Sequence, residues 1–211
     1  MSENKATFFA RLESRLAPSD LVRVRGAYYL AKYGHRAQVR KETDEFGKPL
    51  RYFEHVRRVA IVLMDEAHRF DPDLVCTALL HDALEDTDDI DGYVIEQFFG
   101  KEVARRVRLL TKDPKEGYVE RLATADSDTV LVKACDRLDN IRSLSETSVE
   151  FQEKQVAETL NQYLPVFEKR LSGRNGAGFS PVLDILWGEG NKRVADAGQR
   201  ILDLGVDSQD R

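Results

Sequence analysis

The chain is poor in most features that would assign it quickly. Its 211 residues include only two cysteines, Cys76 and Cys135, in apolar segments with no CxxC spacing. That excludes a disulfide-rich scaffold and leaves two buried, reduced thiols as the expectation, with a single bridge between them as the alternative. Basic residues are not in excess: 32 Lys and Arg stand against 37 Asp and Glu, a formal net charge of -5. Nucleic-acid-binding domains are usually basic, so no nucleic-acid partner is expected. No run is apolar for the length of a membrane span, and the start, Met1-Ser2-Glu3-Asn4-Lys5, lacks the apolar core of a signal peptide. A cytoplasmic protein without a membrane partner is the expectation. Repeats and low-complexity tracts are also missing. What is present is an ordinary soluble balance, 42% hydrophobic and 33% charged, in a length that fits one large compact domain with or without an appendage.

The apolar periodicity is helical nearly throughout. It predicts a short helix at Phe8 to Leu16, a second carrying Val24, Ala27, Tyr28 and Ala31, and a third from about Phe53 to Phe70. A fourth, capped by Asp71 with Pro72 in its first turn, follows. Tyr33 to Leu50 reads as a charged loop with Gly34, Gly47 and Pro49. Val94 to Phe99 is a short helix stopped by Gly100, and Val103 to Leu110 is the next. Thr129 to Leu144 is helical; Val130-Leu131-Val132 is too short and isolated to build a sheet. Phe151 to Leu171 is a long helix bent or broken near Pro165. The segment 172–211 opens with a Gly-rich hinge and reads as a C-terminal helical extension packed on the main domain, 1–171. Trp187 packs that extension, with a homodimer contact as the runner-up.

Four ionisable groups fall within six residues of an apolar stretch: His81, Asp82, Glu85 and Asp86, in Ala78-Leu79-Leu80-His81-Asp82-Ala83-Leu84-Glu85-Asp86-Thr87. Buried polar groups need partners, and buried charges need a counter-charge or a metal. On a continuous helix Glu85 lies four residues beyond His81 and Asp86 four beyond Asp82, so the second pair stands over the first. His55, at the start of the preceding helix, and Asp136, in Lys133-Ala134-Cys135-Asp136-Arg137-Leu138-Asp139-Asn140, are further candidates. Two histidines and two aspartates make a nitrogen and oxygen set that suits Mn, Fe, Zn or Mg. Arg36, Arg40, Lys41, Lys48, Arg51, Arg57 and Arg58 cluster near His55, where local potential attracts a polyanion despite the net charge. Arg105, Arg106 and Arg108 read as an exposed helix face, Phe98-Phe99 as core, His35 as structural and His68 as a surface residue.

These residues resemble the HD-domain phosphohydrolases, and among them the small alarmone hydrolases related to the RelA/SpoT proteins. The likeness rests on Ala27-Tyr28-Tyr29-Leu30-Ala31, on His35 to Lys41, on Phe53 to Ala60, on Ala78 to Thr87 and on Val132 to Leu144, in the family's order. The run Ala-Leu-Leu-His-Asp-x-x-Glu-Asp-Thr is more specific than a lone His-Asp pair. The resemblance implies an all-α, HD-type helical bundle. It implies one divalent ion, usually manganese, held by His55, His81, Asp82 and Asp136. Glu85 and Asp86 would position the attacking water and manage its proton. Arg40 and Lys41 would lie over the nucleotide, and Asn140 would contact its sugar or phosphates. The implied reaction removes the 3′-pyrophosphate of guanosine tetra- or pentaphosphate. Two rival readings are an HD phosphohydrolase for another nucleotide and a nucleotide-binding module without turnover. The chain departs from the family at His55-Val56 (usually His-Pro), at Leu138-Asp139-Asn140 (usually Leu-His-Asn) and in a longer stretch between Arg40 and His55.

Overall fold

The computed structural model describes residues 3–144, 147–171 and Gly188. The C-terminal extension expected over 172–211, Trp187 included, lies outside the described residues apart from Gly188. The chain opens with α1 (Lys5–Ala10), capped by Asn4 and Thr7 in a reciprocal capping box. Pro18 then begins α2 (Pro18–Gly34), where its missing N–H costs nothing. Val24, Ala27, Tyr28 and Ala31 recur at helical spacing and are buried.

The stretch read as a loop after α2 contains a β-hairpin instead. β1 (Val39–Thr43) pairs antiparallel with β2 (Pro49–Arg51), Val39 opposite Arg51 and Thr43 opposite Pro49. The Asp44 carboxylate closes the turn by accepting the Phe46 and Lys48 backbone N–H groups, both at 2.9 Å, and Gly47 adopts a φ of 76° there. Neither strand has a buried residue, so the period-two signal of a half-buried strand is absent from the sequence.

β2 runs directly into α3 (Tyr52–Asp65), which ends earlier than the expected Phe70. The chain beyond it turns at His68, an exposed residue with a φ of 53°. α4 (Pro72–Leu80) is capped by the Asp71 side chain, and every residue from Leu74 to Leu80 is buried. It is the central helix, packed against α2, α3, α7 (Lys101–Leu110) and α9 (Ser127–Arg142). A fully buried leucine such as Leu79 contributes about 1.5–3 kcal/mol through its apolar surface. α4 does not continue through the His-Asp pair: it ends at Leu80, and a separate turn of helix, α5 (Ala83–Asp86), follows.

α6 (Gly92–Phe99) ends at Gly100, whose φ of 93° favours glycine. Phe99 is core as expected, but Phe98 is 71% exposed. α8 (Tyr118–Thr124) precedes α9, which carries Val130-Leu131-Val132 as helix. α10 (Val149–Glu158) widens into a π-helical turn over Thr159–Tyr163 before α11 (Leu164–Leu171). Pro165 explains the interruption, because it supplies no N–H to the carbonyl four residues back. Apart from the hairpin, the described fold is helical, as the periodicity predicts. No helix among the described residues is long and apolar enough to cross a membrane.

Candidate metal centre

Three helices bring their polar residues to one point. His55 lies in the first turns of α3, His81 and Asp82 form the corner between α4 and α5, and Asp136 sits midway along α9. Both imidazoles are 1% exposed. The His81 Nδ1 lies 2.8 Å from the Ala78 carbonyl oxygen. A carbonyl can only accept, so Nδ1 carries the proton and Nε2 offers its lone pair. The His55 Nδ1 lies 2.6 Å from Asp139 Oδ2, a contact that holds the plane of that ring.

The two Nε2 atoms face carboxylates. Asp82 Oδ2 is 3.0 Å from the His81 Nε2 and 3.6 Å from the His55 Nε2. Asp136 Oδ1 is 3.3 Å from the His55 Nε2 and 3.7 Å from the His81 Nε2. Ligand atoms of His55, His81 and Asp82 all lie within 4.8 Å of one another, and Asp136 stands beside that trio. The buried His81 Nε2 makes no hydrogen bond. Convergent lone pairs from two imidazoles and two carboxylates repel one another unless a cation sits among them. This donor set fits a divalent ion, and its nitrogen and oxygen composition suits Mn, Fe, Zn or Mg.

Protons and metal compete for this site. Burial alone would lower both imidazole pKa values. Hydrogen bonds to Asp136 and Asp139 outweigh it and raise His55 to about 10. The Asp82 charge beside His81 raises that group to about 9. A cation binds neutral imidazole, so it must displace those protons. The affinity for a divalent ion is therefore expected to climb with pH up to about 9–10, by about tenfold per unit for each proton displaced, and then to level off. Calorimetric titration in buffers of different protonation enthalpy measures the protons released; no release would refute this account.

Further side chains hold the carboxylates. Tyr52 donates its hydroxyl to Asp82 Oδ2 at 2.7 Å, and His35 stacks on the Tyr52 ring with centroids 4.8 Å apart. His35 also pairs with Gln38 at 2.7 Å, consistent with the structural role expected for it. Lys133, itself buried, places its Nζ 2.6 Å from Asp136 Oδ2, and Asn140 donates to Asp136 Oδ1 at 2.6 Å. Burial would raise the Asp136 carboxyl, but the Lys133 charge prevails and holds it well below the usual carboxylate range. Sequence reasoning missed Tyr52 and Lys133, and it placed Arg58 in the cation cluster and Asp139 among the departures from the family without pairing them. The available signal was the spacing around Asp136: Lys133, Asp139 and Asn140 lie three or four residues away on the same helix face.

The break after Leu80 changes the expected placement of Glu85 and Asp86. They stand in α5 on the exposed side, with both backbone N–H groups bonded to the Asp82 carbonyl at 3.2 and 2.9 Å. Glu85 Oε2 accepts the Lys112 backbone N–H at 3.0 Å. Partial desolvation of its carboxyl, followed by the Asp82 charge, raises Asp86 above its ordinary range.

Beside the centre, β1, Tyr52, α9 and α10 enclose a cavity of about 240 Å³ that brings Arg40, Lys41 and Asn140 together. Arg40 Nη2 donates to Asn140 Oδ1 at 3.2 Å and to Ser143 Oγ at 2.9 Å. Lys41 lies over the Phe151 ring, 4.3 Å from its centroid. The wider cation cluster is largely paired: Arg36 with Asp89, Arg57 with Glu54, and Arg58 with Glu42 and Asp139. Of the three arginines expected on an exposed helix face, Arg105 and Arg108 are 43% and 50% exposed while pairing with Glu102 and Glu96, whereas Arg106 is 11% exposed between Glu102 and Asp126. Cys76 and Cys135 are free and buried, and burial pushes the Cys76 thiol up to about 12.

Known proteins share the sequence and the fold of this chain. The family profile described as the HD domain matches residues 27–173. A probable guanosine-3′,5′-bis(diphosphate) 3′-pyrophosphohydrolase of Mycoplasma genitalium is 28% identical over 97% of this chain and 28% of its own. The enzyme of that name from Aquifex aeolicus is 35% identical over 71% of this chain and 22% of its own. The chain thus spans about a quarter of the length of these relatives. The Drosophila melanogaster protein of the same name is 36% identical over 54% of this chain and 65% of its own. A solved structure of a metazoan ortholog of SpoT that hydrolyzes ppGpp superimposes with a TM-score of 0.67, at 26% identity, over 82% of this chain and 97% of that one.

Proposed function

The chain belongs to the HD-domain family, and from that premise we propose that it is a metal-dependent 3′-pyrophosphohydrolase of guanosine tetra- and pentaphosphate. The observation that carries the reading is the junction of two sites. A centre of four convergent acceptors from His55, His81, Asp82 and Asp136 adjoins a cavity walled by Arg40, Lys41 and Asn140. Relatives of both greater and similar length carry the corresponding activity in their names.

In this reading His55, His81, Asp82 and Asp136 hold one divalent ion, manganese by preference. Once bound, such an ion acidifies a water toward a pKa of ~7 and polarises a phosphoryl oxygen. Glu85 and Asp86 take the proton from the water and return one to the departing 3′-oxygen. Atoms balance: water supplies hydroxyl to the released pyrophosphate and hydrogen to the 3′-hydroxyl of GDP or GTP. Arg40 and Lys41 supply positive charge over base and phosphates, which an acidic protein must concentrate locally. Asn140 spans the interval between Arg40 and Asp136, and so between nucleotide and ion.

Incubating purified protein with manganese and guanosine tetraphosphate is expected to release pyrophosphate and GDP in equal amounts, and no orthophosphate. A parallel panel with adenosine counterparts and 5′-nucleotides tests base preference. Turnover of another nucleotide alone favours a different HD phosphohydrolase. Binding without release identifies a module that has lost catalysis.

A further inference from the structure

Asp139 is buried, charged and three residues beyond a proposed ligand, yet it meets the Nδ1 edge of the His55 ring and not the Nε2 that faces Asp82 and Asp136. Its carboxylate accepts three bonds: from the His55 Nδ1 at 2.6 Å, from Arg58 Nε at 2.6 Å and from Arg58 Nη2 at 3.1 Å. The connection continues. Arg58 Nη2 donates to Glu42 at 2.9 and 3.1 Å, and Glu42 accepts Arg40 Nε at 3.1 Å. Arg40 reaches Asn140, and Asn140 reaches Asp136, which faces the His55 Nε2. The bonds form a chain that passes from α3 through the hairpin to α9 and ends opposite the His55 Nε2, 3.3 Å from Asp136 Oδ1. Its members alternate in sign from Asp139 to Arg40, so that stretch sums to zero charge.

From this geometry we propose that Asp139 is the positioning residue of the metal centre: it fixes His55 in the Nδ1–H tautomer, with the Nε2 lone pair aimed at the ion, and ties that ring to the hairpin lining the nucleotide cavity. An ionised carboxylate has no proton to give, so the neutral imidazole facing it must donate from Nδ1. A carboxylate behind a ligating histidine also makes that ligand more basic and stops the ring from turning. Arg58 is what allows an anion to be buried there, since an unpaired buried carboxylate would take up a proton. The sequence supplies this cation from one helical turn beyond His55 on α3, so ring and counter-charge are set by one rigid element.

The inference rests on the metal-centre reading but not on the nucleotide. Its test is metal uptake by the full chain, measured by manganese titration of chelator-stripped protein. Wild type, Asp139→Ala and Asp139→Asn are compared after circular dichroism confirms folding. Asp139→Ala is expected to bind manganese about 10–100-fold more weakly. Asp139→Asn keeps an acceptor for the Nδ1–H and is expected to recover most of that loss. A folded alanine variant with wild-type affinity would overturn the proposal, as would an asparagine variant no better than alanine. Should the alanine variant not fold, histidine ring nitrogen shifts of the zinc-loaded wild type decide: the Nδ1–H form of His55 supports the proposal and the Nε2–H form overturns it. A wild type that takes up no ion overturns the metal centre and this inference together, whereas normal uptake by every variant overturns this inference alone.

Discussion

Replacing Asp82 by alanine is expected to empty the metal centre and reduce turnover to background. Asp82 Oδ2 is one of two carboxylate oxygens that face both imidazoles, 3.0 Å from the His81 Nε2 and 3.6 Å from the His55 Nε2. Loss of a partner behind a ligand typically costs about 10–100-fold in metal affinity, so loss of a ligand itself should cost more. Without the ion, an attacking water keeps its own pKa of ~15.7 instead of ~7. The neighbouring groups cannot substitute. Asp136 is already shared with Lys133 and Asn140, and the Tyr52 hydroxyl would lose the acceptor it now has at 2.7 Å. Bound metal per chain and pyrophosphate release should be measured on the same preparation. A variant that retains one ion and works at the wild-type rate would refute the assignment of Asp82.

The outcome of that experiment bears on how much a sequence can disclose. The local clusters were legible because their chemistry is concentrated. His81 and Asp82 adjoin in an apolar run, and Asp71-Pro72, Gly100 and Pro165 mark helix boundaries where the chain has them. The three helices that supply the centre also follow from a 3.6-residue period. Other parts depend on pairings far apart in sequence. Asp139 looks unremarkable until Arg58 and His55 meet it across 81 and 84 positions, and Tyr52 gains its role only from Asp82, 30 residues on. The corner at His81 was not visible either. Ala78 to Asp86 contains no glycine or proline, so nothing local ends α4 at Leu80. The hairpin escaped for a different reason: β1 and β2 bury no side chain, so no alternation is written into them.

That corner sharpens the roles of the acidic pair. Glu85→Gln and Asp86→Asn are each expected to keep the ion and lower kcat by about 10²–10⁴-fold, the usual worth of a positioned acid or base. Glu85 is anchored through Oε2 to the Lys112 backbone N–H at 3.0 Å, and a glutamine can accept the same bond. The substitution therefore removes charge and basicity while leaving α5 in place. Asp86 is a better proton acceptor than an ordinary aspartate, because partial burial and the Asp82 charge raise its pKa. A carboxylate base works only when ionised, so turnover should fall as pH drops through that raised value. Asp86→Asn should then erase this acidic limb from the kcat profile, while Glu85→Gln should leave it in place. Metal stoichiometry near one in both variants separates these effects from loss of the centre. If Asp86→Asn keeps wild-type kcat and an unaltered acidic limb, the proton is handled elsewhere and Glu85 is left as the base.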